Sequence, residues 1–212
     1  MSAAPDWRAW HDAYDKPRSA LRRRLRIVQR EIGTWLDDRA GRPSKIISVC
    51  AGQGRDLLEV LAGRPGHAFV RARLVELDPH NASIAANAAR AAGLERIEVV
   101  CADAAVVDVY RGLLPADLVL ACGVFGNISD DDVRTTVEAL PGLCSPGGTV
   151  IWTRSRRAPD LTPQIRGWFA GAGFEEVAFH APAGVLFSVG VHRLVGAPHE
   201  LDPGRRLFRF LD

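Results

Sequence analysis

Two patterns of apolar and polar positions alternate along this chain from residue 45 onward. Short, mostly apolar runs at 45–50, 73–78, 97–101, 117–122 and 147–153 lack helical spacing. Between them, apolar residues recur every three or four positions: at about 55–62, from Pro79 to Gly93, from Asp103 towards Leu114, after Ser129 or Asp130, and after Asp160 with Ile165, Trp168 and Phe169. Runs of the first kind, bounded by turn residues, read as strands buried on both faces; the intervening stretches read as helices. Such alternation predicts a doubly wound α/β fold, a mostly parallel sheet with helices on both faces. F-E-E-V-A-F and the run at 185–194 have only A-P-A-G between the second phenylalanine's histidine neighbour and the next apolar residue. A hairpin there would put an antiparallel edge strand beside the parallel ones.

Before the first strand the period is helical throughout. Asp6 is a candidate N-cap, with Trp7, Trp10 or His11, and Tyr14 on one face. Pro17 suits the opening turn of a second helix, whose apolar stripe is Leu21, Leu25, Val28, Ile32 and Trp35 or Leu36. Arg22, Arg23, Arg24, Arg26 and Arg30 take its other faces, and G-R-P-S at 41–44 ends it. The chain thus divides into an N-terminal helical lid or extension (1–44), the sheet domain (45–194) and a tail (195–212) read as a loop plus a short edge strand, one domain overall.

Composition excludes several classes. With 212 residues, 47% of them hydrophobic, one complete core is affordable without a second domain. Lysine occurs only at 16 and 45, yet acids balance the many arginines to a net charge of +2, so nothing marks a nucleic-acid surface. No apolar stretch reaches the roughly 18 residues of a membrane span, and no charged-then-apolar leader precedes the first strand. A cytoplasmic protein is expected. Cys50, Cys101, Cys122 and Cys144 are isolated and without a matching histidine pair, so they read as buried thiols, and no metal is predicted.

Candidate chemistry gathers where the strands end, because ligands of doubly wound sheets lie beyond the carboxyl ends of the strands. The first strand ends in Ala51-Gly52-Gln53-Gly54, the second in Glu76-Leu77-Asp78, the third in Cys101-Ala102-Asp103, and the fourth in Gly123 to Asn127. Glycines admit a ligand close to the backbone. An acid after the second strand can accept both hydroxyls of a ribose, and one after the third an adenine amino proton; either also reads as a helix N-cap. The dinucleotide fingerprint G-x-G-x-x-G lacks its third glycine here, where Leu57 stands.

In these features the stretch 45–194 resembles the class I S-adenosylmethionine-dependent methyltransferases. A-G-Q-G-R-D is similar to their first motif, and L-V-E-L-D with Asp78 to the second. C-A-D with Asp103 resembles the adenine-contacting acid, A-D-L-V-L-A-C the fourth strand, L-C-S-P-G-G-T-V-I-W the stretch before the fifth, and G-A-G-F-E-E-V the run into the sixth. The resemblance implies a seven-stranded sheet whose last strand runs antiparallel, and S-adenosylmethionine as cofactor. It places cofactor contacts at Ser48, Ala51, Gly52, Gly54, Glu76, Asp78, Asp103, Ala104, Cys122 and Gly123. Two positions depart from the family: Ser48 stands where an acid is usual, and Cys50 where a glycine is usual. Serine carries no charge for the methionine ammonium group, which leaves Glu76, Asp103 or an N-terminal residue for that role.

Methyl transfer from a sulfonium is an in-line displacement that needs positioning more than a dedicated base. Tyr14, His11 and Asn127 are the catalytic candidates. Phe125, Asn127, Trp152 and Arg154 are candidates for an acceptor site, with Arg154, Arg156 or Arg157 able to hold an acceptor anion. The aromatic N-terminal helix could cover the strand ends or simply dock on the core. C-G-V-F-G-N after the fourth strand lacks the Asn/Asp-Pro-Pro-aromatic of DNA amino-methylating enzymes, so a small-molecule acceptor is expected rather than nucleic acid. Exposed aromatics near the N-terminus would permit a homodimer. An NAD(P)-dependent oxidoreductase and a non-catalytic adenosyl-binding domain are the alternatives.

Overall fold

The computed structural model describes residues 12–16, 18–39 and 41–211. Seven strands form one sheet in the order β3-β2-β1-β4-β5-β7-β6. They are β1 (Ser44–Val49), β2 (Val70–Glu76), β3 (Ile97–Cys101), β4 (Ala116–Ala121), β5 (Cys144–Ser155), β6 (Phe174–His180) and β7 (Phe187–Leu194). The first five pair in parallel, while β7 runs against both β5 and β6. The antiparallel pair expected at one edge is therefore present; β7 lies one place in from the margin and β6 forms it.

Helices α1 (Ala20–Asp38), α2 (Arg55–Leu61), α3 (Pro79–Ala91), α4 (Asp130–Ala139) and α5 (Thr162–Gly171) cover the sheet. Side-chain alternation along each strand builds a separate core on each face. Ile46, Leu74, Leu118, Leu120 and Ile151 face Val28, Ile32, Leu57, Leu61 and Ala85 of α1–α3. Ile47, Val119, Val150 and Trp152 face Val133, Val137, Ile165 and Phe169 of α4 and α5. Among the described residues no helix is long and apolar enough to cross a membrane.

Local chemistry sets the boundaries. Ser19 Oγ accepts the Arg22 N–H at 3.0 Å and caps α1; Ser129 caps α4 in the same way, and Asp78 Oδ1 caps α3 by accepting from His80 and Asn81. At α5 the N-cap position is Leu161 rather than the expected Asp160, whose Oδ1 accepts from the Thr162 N–H at 2.9 Å and its hydroxyl at 2.8 Å. Only a 3-10 turn, Val107–Tyr110, occupies the stretch read as a helix towards Leu114; Gly112, at φ 81°, turns the chain into β4.

The tail is not an edge strand. It returns across the strand ends, bridging Val106 to Arg206 and Ile128 to Phe210. Leu207 and Phe208 are buried against the α4–α5 core, a burial worth about 2 kcal/mol or more for each side chain. The expected helix carrying Trp7, Trp10 and His11 lies outside the described residues; Tyr14 sits in a 3-10 turn, Asp12–Asp15.

Candidate functional site

A cavity of about 430 Å³ opens at the carboxyl ends of β1, β2, β3 and β4. Its floor is the turn between β1 and α2. Cys50, Gly52 and Gly54 there take φ of 53°, 55° and 69°, a left-handed succession that glycine accepts freely and cysteine rarely. Gly54 serves packing. A Cβ on it would lie 2.7 Å from Leu74 and 2.8 Å from Leu58, so a side chain would push the turn off β2. Gly52 instead lines the cavity and donates its N–H to Glu76 Oε2 at 2.7 Å, while Glu76 Oε1 accepts from Asp78 N at 2.9 Å. One carboxylate thus ties the glycine turn to the end of β2.

The cavity has two acidic ends. On one side stand Glu76 and Asp103, whose charges, with burial as the larger cause, push the Cys50 thiol far up. Asp103 also accepts from Ala105 N at 2.9 Å and pairs with Arg206 of the tail at 2.8 Å. On the other side stands Asp56, in the first turn of α2, facing Cys122 at the end of β4. Burial raises Asp56 to about 6, against hydrogen bonds from the Leu57 N–H and its own N–H and the nearby Arg24 charge. Tyr14 completes this end. Arg24 Nη2 donates to its hydroxyl at 2.8 Å, and burial raises its pKa, so the phenol stays protonated. Both cavity thiols are likewise held neutral, by burial first, and cannot serve as thiolate nucleophiles.

Of the ten expected cofactor contacts, Ala51, Gly52, Glu76, Asp78, Asp103, Ala104, Cys122 and Gly123 line this cavity, and Gly54 shapes its floor. Ser48 does not line it. Aligned with Leu74 and Leu120 and 2% exposed, it follows the face of β1 that packs under α1–α3.

The expected acceptor residues fare differently. Trp152 is fully buried, with its indole over Gly190, stacked on Phe169 at 5.7 Å and donating to His192 Nδ1 at 3.1 Å. Phe125 is fully buried beside it. Arg154 donates to the Phe125 carbonyl and to Asp130 Oδ1, and Arg156 to the Pro182, Val185 and Phe187 carbonyls. Asn127 Nδ2 donates to Gly123 O at 2.7 Å, which fastens the loop after β4. None of the five lines the cavity: Phe125 and Trp152 are enclosed in the core, and Asn127, Arg154 and Arg156 direct their donors to neighbouring backbone carbonyls and, for Arg154, to Asp130. Of the two described catalytic candidates Tyr14 borders the cavity and Asn127 does not; His11 lies outside the described residues.

Several lining residues escaped the sequence reading. Arg24, placed on one of the faces away from the apolar stripe, borders the cavity with Leu25 and Val28 because the first turns of α1 reach it. Gln53, Arg55 and Asp56 lie within the motif A-G-Q-G-R-D but were given no role of their own, and Asn81 comes from the first turn of α3, three residues after Asp78. Phe210 reaches the cavity only through the returning tail.

A family model described as "Putative methyltransferase" matches residues 19–166, about seven-tenths of the chain. The chain belongs to this methyltransferase family. A comparison with curated proteins gives no match. Among solved structures, the chain is similar to an O-methyltransferase family protein from Burkholderia thailandensis, with a TM-score of 0.67 and 19% identity over 89% of this chain; it spans 59% of that protein's length. It is also similar to the 1,6-didemethyltoxoflavin-N1-methyltransferase of the same organism, with a TM-score of 0.62, 20% identity and 92% of both chains covered. The magnesium protoporphyrin IX methyltransferase of Synechocystis PCC 6803 has a TM-score of 0.62 at 11% identity, with 81% of this chain and 83% of that one covered. The last two were crystallised with S-adenosylhomocysteine. At such identities the likeness is one of fold.

Proposed function

We propose that the chain transfers a methyl group from S-adenosylmethionine to a small-molecule acceptor. The observation that carries this reading is the Gly52–Glu76 tie in the wall of the cavity, in a chain of the methyltransferase family. Glu76, the last residue of β2, is the better placed of the two β2 acids for ribose hydroxyls, since Asp78 caps α3. Asp103 and Ala104 would meet the adenine, with Leu77 and Phe210 as apolar walls. The residues fit such a ligand in size as well, because about 430 Å³ is within the range of small-molecule and cofactor sites.

When bound, S-adenosylmethionine supplies an electrophilic methyl group. The protein's part is to hold the acceptor in line and exclude water. The open side of the cavity towards Tyr14, Leu25, Val28 and Cys122 would receive the acceptor. Neutral Tyr14 acts there as a hydrogen-bonding orienter and not as a base.

Calorimetric titration with S-adenosylhomocysteine and NADH, followed by mass-spectrometric assay of a panel of small acceptors, tests this. Binding of the adenosyl ligand, no binding of NADH and a product heavier by one methyl group are expected. Binding of NADH alone would overturn the reading, and adenosyl binding with no product across the panel would leave a ligand-binding domain.

A further inference from the structure

We propose that Thr153, a buried residue of β5 that does not line the cavity, is a positioning residue for methyl transfer: with Asn127 it fixes the two peptides flanking Gly123 and so holds the Cys122 carbonyl towards the acceptor. The proposal rests on the methyl-transfer reading above and adds which residues set the acceptor's approach at the end of β4.

Gly123 stands where β4 gives way to a loop, at φ 85°, a left-handed conformation that glycine takes freely. Its N–H donates to Thr153 Oγ1 at 2.8 Å, and its carbonyl accepts from Asn127 Nδ2 at 2.7 Å. The most pliable residue of the loop is thereby gripped twice, by a side chain of the neighbouring strand and by one four residues on. Packing alone does not call for this arrangement. Thr153 is 1% exposed, and a valine would fill the same space on a buried strand with no polar atom to satisfy. Its hydroxyl is instead spent on a residue that borders the cavity, as the adjoining Cys122 also does.

The grip has a direction. β4 lies between β5 and β1. The Cys122–Gly123 peptide is trans, since the cis bonds of the described residues precede Pro115 and Pro159. In a planar trans peptide the C=O points opposite to the N–H. With that N–H drawn to Thr153 of β5, the Cys122 carbonyl turns away from β5, to the side where β1 ends in the cavity-lining Cys50 and Ala51. It accepts no hydrogen bond from the described residues. A carbonyl held there suits an acceptor whose nucleophile is an N–H or O–H group, because the hydrogen bond it receives aims the attacking lone pair. That lone pair bonds the methyl carbon as the electron pair of the carbon–sulfur bond returns to sulfur, and the nucleophile's proton passes to solvent.

The test follows turnover of the best-used member of the acceptor panel, alongside binding of S-adenosylhomocysteine and of 5′-methylthioadenosine, which lacks its amino acid. Thr153→Val keeps the shape and removes the hydroxyl. It is expected to lower kcat about 10- to 100-fold, the range for a misplaced reacting group, with the acceptor KM and both affinities within about threefold of the parent. Thr153→Ser restores the accepting oxygen and should recover most of kcat. Asn127→Ala frees the other peptide from a half-buried position and should act in the same direction as Thr153→Val. Ser188→Ala is the control. That buried hydroxyl donates to the Arg154 carbonyl at 3.0 Å, away from the cavity, so its loss should lower the melting temperature and leave kcat unchanged. The methylated atom should be a nitrogen or oxygen that carried hydrogen. An unchanged kcat in Thr153→Val, an equal fall in Ser188→Ala, or loss of both adenosyl ligands along with kcat would overturn the positioning role while methyl transfer stands. A parent that methylates no acceptor would overturn the role together with the proposed function.

Discussion

Two polar clusters sit on this sheet, and they differ in what lies beside them. Asp56, Arg24 and Tyr14 border a cavity; His192 and Trp152 are enclosed by side chains on the opposite side of the strand order, with the exposed Glu176 at their edge. In the sealed cluster the Trp152 N–H finds His192 Nδ1, Phe169 stacks on the imidazole at 4.2 Å, and Glu176 lies 3.7 Å from Nε2 behind its pair with Arg166. Burial, which outweighs the Glu176 charge, lowers His192 to about 4 and keeps it neutral. Both clusters hold a titratable group whose pKa burial shifts, yet only one leaves room for a ligand. A chemically suggestive residue is therefore a site candidate only when the packing around it stops short.

The largest effect should come from breaking the sealed cluster. Trp152→Ala removes a fully buried indole that contacts Phe125, Phe169 and Phe179, and is expected to lower stability by about 3–5 kcal/mol in urea unfolding. A folded Trp152→Ala variant should still bind S-adenosylhomocysteine with near-parental affinity. Selective loss of an acceptor with stability unchanged would return Trp152 to the site.

The two titrating groups carry opposite signs. Asp56 has a folded pKa raised from 3.8 to about 6, so the fold binds the extra proton, and this contribution to stability is lost as pH rises from about 4 to 6. His192 is lowered from 6.5 to about 4, so the unfolded chain binds the extra proton, and stability is lost as pH falls from 6.5 to 4. In the parent protein the two slopes oppose each other. Asp56→Asn should gain stability over the parent as pH rises through that window, by up to about 3 kcal/mol. His192→Asn, which still offers Trp152 an acceptor, should lose most at pH 7, with the deficit shrinking towards pH 4 by a similar amount. Parallel pH profiles for all three proteins would show that neither group is held as described.

A smaller loss is expected on the cavity floor. Gly54→Ala puts a Cβ against the flexible ends of Leu58 and Leu74 at φ 69°, and should destabilise by about 1–3 kcal/mol with weaker adenosyl binding. Gly63→Ala, with a similar φ of 71° and open space around it, separates backbone strain from the clash.

The same contrast explains what the sequence disclosed. All seven strands were legible because apolar runs and turn residues are local, and the motif at 51–54 located the cavity floor. Trp152 and Arg154 misled because β5 runs on to Ser155, and a position near a strand's end does not tell which neighbours its side chain meets. Arg24 was missed because helical periodicity separates apolar from polar faces without telling which neighbour the polar face meets. Phe210 depended on a tail folding back over residues more than eighty positions earlier, a contact with no local signature.

That tail supplies the mildest way to probe the cavity's other end. Arg206 pairs with Asp103 across half-exposed surface, where an ion pair is worth at most about 1 kcal/mol. Arg206→Ala should therefore change stability little, while Leu207 and Phe208 still anchor the strap. Its informative effect is on ligand binding. If Asp103 receives the adenine amino group, removing Arg206 leaves that carboxylate free to turn towards the base, and affinities for S-adenosylhomocysteine and 5′-methylthioadenosine should move together by no more than about tenfold. A change confined to S-adenosylhomocysteine would mean that the amino-acid part lies beside Asp103, and would reverse the orientation assigned to the cavity.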